Sequence, residues 1–261
     1  MGELAKALSL DGGVISLVGA GGKTTFMFHL ARERVRAGQT VLATTTTRIF
    51  NPTCDPAPVR LLAKNAPDLI RQWNALDPPP LFTVAAARLD PDRNKLIGFS
   101  PEVIDRIADA ELFRWIVVEA DGAARRPLKA PASHEPVIPR RSSVVVAFGG
   151  LDAVGKPLHD DHVFRAEIYA RLTGLNMGEP VTAASIAALM SHPDGLFRGA
   201  PESAEKIVFL NKAEGDDRRA AGRETANRLA GFAGQVVVGR LAPPPLCGKE
   251  GEGGGHPFRQ N

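Results

Sequence analysis

Residues 19–25 read Gly19-Ala20-Gly21-Gly22-Lys23-Thr24-Thr25, and each residue type there suits a task in holding a polyphosphate. Glycines let backbone N–H groups converge on an anion with no Cβ in the way. A helix starting at this point adds the positive end of its dipole. The Lys23 amine can reach terminal phosphate oxygens, and the Thr24 hydroxyl can ligate Mg2+. Such a loop needs a carboxylate partner for the metal. The apolar run Trp115–Val118 ends in Glu119-Ala120-Asp121-Gly122. Glu119 is the first candidate for holding Mg2+, directly or through water. Asp121 is the second, orienting the nucleophile or the metal's outer shell.

The loop is shorter than the usual Gly-x-x-x-x-Gly-Lys-Thr form, because Leu17 stands where the first glycine belongs. In this it resembles the loops of Mur-type ligases. A dinucleotide-binding turn is the main rival, since Gly19-x-Gly21 opens that fingerprint. Its third glycine position is Thr24, and no acid follows the second strand before Asp55, so both of its tests fail. A plain glycine turn packing a helix on a strand is the remaining alternative. Glu119-x-x-Gly122 resembles the carboxylate motif of the metallochaperone GTPases of the SIMIBI class, with a strand-end Asp-Gly turn as its simpler reading. Asn211-Lys212-Ala213-Glu214 follows Ile207–Leu210 and resembles the guanine-reading Asn-Lys-x-Asp of GTPases. Glu214 keeps the carboxylate one methylene further out, which leaves GTP and ATP both open. Solvated loop charges are the plainer reading of these residues.

Other residues are weaker candidates. Lys129, and less so Arg125 and Arg126, could place a cation on a transferring phosphoryl group. Thr44–Thr47 and Arg48 either fill a strand or face the phosphates. His134-Glu135 and His159-Asp160-Asp161-His162 have metal-ligand types without zinc spacing. Arg165 stands where a helix start could reach a phosphate.

Chemistry of this kind needs a frame. Short apolar runs at Val14–Val18, Thr40–Thr44, Leu81–Ala86, Trp115–Val118, Ser143–Phe148, Ile207–Leu210 and Gln235–Val238 read as strands buried on both faces. Between them, helical patterns cover Thr24–Ala37, Pro58–Leu76, Pro101–Glu111, Val163–Leu172, Ala183–Ser191 and Arg218–Ala230. The alternation predicts an α/β fold, a mainly parallel sheet with flanking helices in three layers, like that of P-loop NTPases. One domain over residues 1–245 is expected, with a disordered Gly-rich tail at 246–261. The chain has 261 residues, 44% hydrophobic and 23% charged, with a net charge of +3. No basic block suggests nucleic acid. No run is long enough to span a bilayer, and two distant cysteines fit a reducing compartment, so a cytoplasmic location is expected.

Taken together, the motifs resemble the YqeC family, described as selenium-dependent molybdenum hydroxylase accessory proteins. The residues that carry the likeness are Val18–Thr25, Thr44–Arg48, Val118–Gly122, Pro127–Pro131, His134–Pro139 and Leu210–Ala213. The resemblance implies a partner, a molybdenum/selenium hydroxylase or its cofactor, whose maturation is driven by GTP or ATP with Mg2+. An NTPase-type accessory protein is therefore expected. A small-molecule kinase or ligase using the same loop, and a scaffold that binds nucleotide without turnover, are the alternatives.

Overall fold

The computed structural model describes residues 3–51 and 59–242; the expected tail at 246–261 lies outside them. Eight strands form one parallel sheet. Their order is Gln235–Val238, Glu205–Asn211, Ser142–Gly150, Gly13–Gly19, Trp115–Glu119, Val41–Thr45, Phe82–Ala86 and Val59–Leu62. Val- and Ile-rich runs suit this position because the central strands are covered on both faces.

Successive side chains of the first strand serve different layers. Ile15 and Leu17 pack beneath helix Lys23–Arg36, with Phe26, Phe148 and Phe209 stacking edge and face around them. On the other face, Val18 joins the core under helices Ala166–Thr173 and Ala183–Ser191. Val14 joins the core under Ala66–Asn74 and Pro101–Asp109. The result is the three-layer α/β fold expected from the alternation of elements.

Two helical expectations are corrected. Pro58–Leu76 is not one helix: Val59–Leu62 is an edge strand paired with Phe82–Ala86. The helix waits until Ala66, where the Asn65 side chain accepts the Asp68 N–H at 3.0 Å, an N-cap stronger than anything upstream. Likewise Val163–Phe164 pairs with Leu128–Lys129, and the helix begins only after Arg165. A three-stranded antiparallel sheet of Arg48–Phe50, Lys95–Ile97 and Arg88–Asp90 was not expected, because each strand is too short to show a period. Among the described residues, no helix is long and apolar enough to cross a membrane.

Candidate functional site

The strand Gly13–Gly19 lies mid-sheet. From it the chain runs through helix Lys23–Arg36 to Val41–Thr45 on one side, whereas its neighbour Ser142–Gly150 leads to Glu205–Asn211 on the other. Connections therefore diverge at the carboxyl ends of these two adjacent strands, which opens a crevice above them. The glycine loop fills that position. Gly21 has φ +91°, and a Cβ there would meet Gly150 N at 2.6 Å and Pro127 O at 2.7 Å. Only a residue without a side chain fits between two backbones in that conformation. Gly22 caps the helix without a side-chain bond, so the first-turn N–H groups gain no side-chain acceptor from the cap.

Glu119 reaches the loop through sheet register: it lies beside Leu17, two residues before Gly19. Its Oε2 accepts the Thr24 hydroxyl at 2.8 Å, and its Oε1 is 3.9 Å from Lys23 Nζ. Burial pushes the Glu119 carboxyl up from its ordinary value, against the opposing pull of Lys23 and Thr24. The Lys23 amine is itself buried. It donates to Gly19 O at 2.5 Å, to Asp121 O at 2.8 Å and to the Asp121 carboxylate. Asp121 also accepts the Gly19 N–H at 2.9 Å. Its carboxylate thus grips the loop at both ends of its backbone turn.

From Asp121 a row of alternating charges runs inward. Lys129 Nζ is 3.0 Å from Asp121 Oδ2, donates to Gly122 O at 2.8 Å, and meets Glu135 Oε2 at 2.7 Å. Arg165 completes the row on the same Glu135 oxygen. Burial pushes the Glu135 carboxyl up, but hydrogen bonds and charge from Arg165 and Lys129 outweigh it and hold the group at about 2. The Lys129 side chain has no solvent exposure. Its amine is committed to this row and does not face the crevice.

Asn211 ends the strand beside Ser142–Gly150. Its amide donates to Gly21 O at 2.7 Å, and its oxygen accepts the Leu241 N–H at 2.9 Å. Lys212 pairs with Asp152 at 2.6 Å, and Glu214 lies 3.2 Å from Arg240 and 3.5 Å from Arg218. A cavity of about 530 Å³ joins the two motifs. Ala20, Gly22, Lys23, Thr24 and Thr25 line one part of it, and Asn211, Lys212 and Glu214 another.

The remaining candidates scatter. Thr44, Thr45 and Thr46 donate to the carbonyls of Ala85, Glu119 and Val137 at 2.8, 2.6 and 2.7 Å, so they brace strand ends. His134 is exposed, and His159 pairs with Asp161 on the surface. Among the described residues no group of three or more His, Cys, Asp or Glu gathers as a metal site would require. Asp152 and Arg198 were not singled out from the sequence. Arg198 donates to the carbonyls of Ala132 and Glu135, shaping the turn that delivers Glu135, and no local motif marks it.

The chain is similar to known proteins across this same ground. The family model of the YqeC protein matches residues 15–167, which take in the glycine loop and the whole charged row and stop before Asn211. The uncharacterized protein YqeC of Escherichia coli (strain K12) is 34% identical over 209 residues, covering 76% of this chain and 75% of the relative. On both grounds the chain belongs to the YqeC family.

Proposed function

We propose that this protein binds GTP or ATP with Mg2+ in the crevice above the glycine loop and hydrolyses it, as an accessory to the maturation of a selenium- or molybdenum-dependent hydroxylase. One observation carries the nucleotide reading. The Lys23 amine, the Thr24 hydroxyl and the Glu119 carboxylate converge at the root of a glycine loop that opens a helix. This is the donor set that a Mg-nucleotide needs. The accessory role rests on the family resemblance alone.

The residues fit the metal. Thr24 and Glu119 offer hard oxygen ligands side by side, and Mg2+ in such sites takes few protein ligands beside phosphate oxygens. When bound, it would neutralise charge on the phosphate oxygens. The chain's own residues do the rest. Loop N–H groups cradle the phosphates, and Lys23 leaves Asp121 for a phosphate oxygen. Asp121 keeps Gly19 N–H and Lys129 as partners, so its charge stays compensated when Lys23 moves. Asn211 holds the Gly21 carbonyl, which fixes the loop relative to Glu214 at the other part of the cavity.

Calorimetric titration of GTP and of ATP, each with Mg2+, followed by phosphate release on the same samples, tests this. Micromolar binding of either with phosphate release is the expected result, and preference for GTP supports base contact by Asn211 and Glu214. Failure to bind both nucleotides refutes the reading. A phosphotransferase is the second reading, favoured by a neighbouring cavity of about 450 Å³ that shares Arg126 with the first. Slow phosphate release that a metabolite accelerates sharply would put it first.

A further inference from the structure

The segment from Gly122 to Pro127 arches beside the glycine loop. Lys129 holds its start through Gly122 O at 2.8 Å. Its end is held where Pro127 O accepts the Gly150 N–H at 2.9 Å, against Gly21. Between these anchors, Ala124 and Arg125 both adopt left-handed backbone conformations, with φ +47° and +59°. Consecutive non-glycine residues there are uncommon and gather at functional sites. Both arginines of the turn line the cavity of the glycine loop, but they are engaged differently. Arg125 lies over the Phe50 ring, 4.4 Å from its centroid. Arg126 lines the cavity that holds Gly21, Gly22, Lys23 and Thr24, and also the adjoining cavity walled by Ala124, Phe164 and Arg165. It is half-buried, and its one ion pair among the described residues is a long 3.7 Å contact to the exposed Asp161.

Resting on the nucleotide reading above, we propose that Arg126 is the catalytic cation of this site, supplied in cis to the terminal phosphate. Lys129 is sealed in the charged row and Arg125 is engaged on the Phe50 ring, whereas Arg126 alone of the three lines both cavities. In hydrolysis, a water oxygen bonds to the γ-phosphorus and the bond from that phosphorus to the β,γ-bridging oxygen breaks. Its electron pair stays on the nucleoside diphosphate, and the water proton passes to solvent beside inorganic phosphate. Negative charge spreads over the equatorial oxygens and the bridging oxygen in this step, where a mobile guanidinium has most effect. Arg126 is weakly tied, so it can leave Asp161 for that charge. Its place between the cavities also sets it beside any acceptor bound in the second.

The test compares affinity for the Mg-nucleoside diphosphate alone with affinity in the presence of aluminium fluoride, which mimics the planar transferring group. Wild type should bind the diphosphate far more tightly with aluminium fluoride. In Arg126→Ala that gain should fall by at least about a hundredfold, with affinity for the diphosphate alone changing only a few-fold and the melting temperature unmoved. Arg126→Lys should restore part of it. Retention of the full gain in Arg126→Ala overturns the proposal, as does a wild type that binds the diphosphate but gains nothing from aluminium fluoride. A wild type that binds no nucleotide at all instead refutes the underlying reading, and this proposal with it.

Discussion

Replacing Lys129 by Met removes a buried charge while keeping most of the stem's volume, and the structure states what is left behind. Asp121 loses a partner at 3.0 Å, Glu135 one at 2.7 Å and Gly122 O one at 2.8 Å, all made by a side chain with no exposure. Breaking a buried ion pair from one side costs about 3–5 kcal/mol. Asp121 keeps Lys23 and the Gly19 N–H, and Glu135 keeps Arg165, which places the loss near the lower end, about 3 kcal/mol. For a chain of this size that lowers the melting temperature by about 6–12 °C. Urea unfolding followed by the fluorescence of the buried Trp73 and Trp115 reads the loss directly. The pH dependence adds a second check. Glu135 titrates at about 2 in the fold against an ordinary 4.5. Its contribution is therefore fully present above pH 4.5 and is lost as pH falls through about 2. The gap between wild type and Lys129→Met should narrow over that window. A loss under about 1 kcal/mol at pH 7, or a gap that widens in acid, would refute the buried row as a stabilising unit.

Two further substitutions bear on the loop. Lys23→Ala should weaken nucleotide binding by about 1.5–3 kcal/mol, the worth of a hydrogen bond to a charged group, or roughly ten- to hundredfold in Kd; unchanged affinity in a folded variant removes the phosphate role of the loop. Gly21→Ala drives a Cβ into the backbone of Gly150 and Pro127 at a φ of +91°, so it should destabilise by more than about 1 kcal/mol and abolish binding. A stable variant with full affinity would show that the loop's close approach is dispensable.

What could be read from the sequence was local. The strand, the glycines, Lys23 and Thr24 lie within a dozen residues, and the acids at 119 and 121 follow directly on a buried run. What could not be read depended on distant partners. Pro127-Leu128-Lys129-Ala130-Pro131 is as compatible with a solvated loop as with a buried cation. The difference is made by Glu135 and Arg165, brought in through a cis-Pro turn and a short parallel pair. Val59-Arg60-Leu61-Leu62 carries no period long enough to separate helix from strand. The free edge of Phe82–Ala86 settled it. Asn211 gave a motif, but its bond to the Gly21 carbonyl spans 190 positions and leaves no trace in either segment alone.

Because each charge in the buried row is held by its neighbours, drift at these positions should come in pairs. A neutral residue arriving at 129 takes a partner from Asp121 and from Glu135 at once, whereas neutral residues arriving together at 129 and 135 leave Asp121 with Lys23 and the Gly19 N–H and take the acid from Arg165, which retains some contact with water. Single steps along this path are steep and joint steps shallow. Descendants of one ancestral sequence should therefore carry Lys129 and Glu135 together or have lost both.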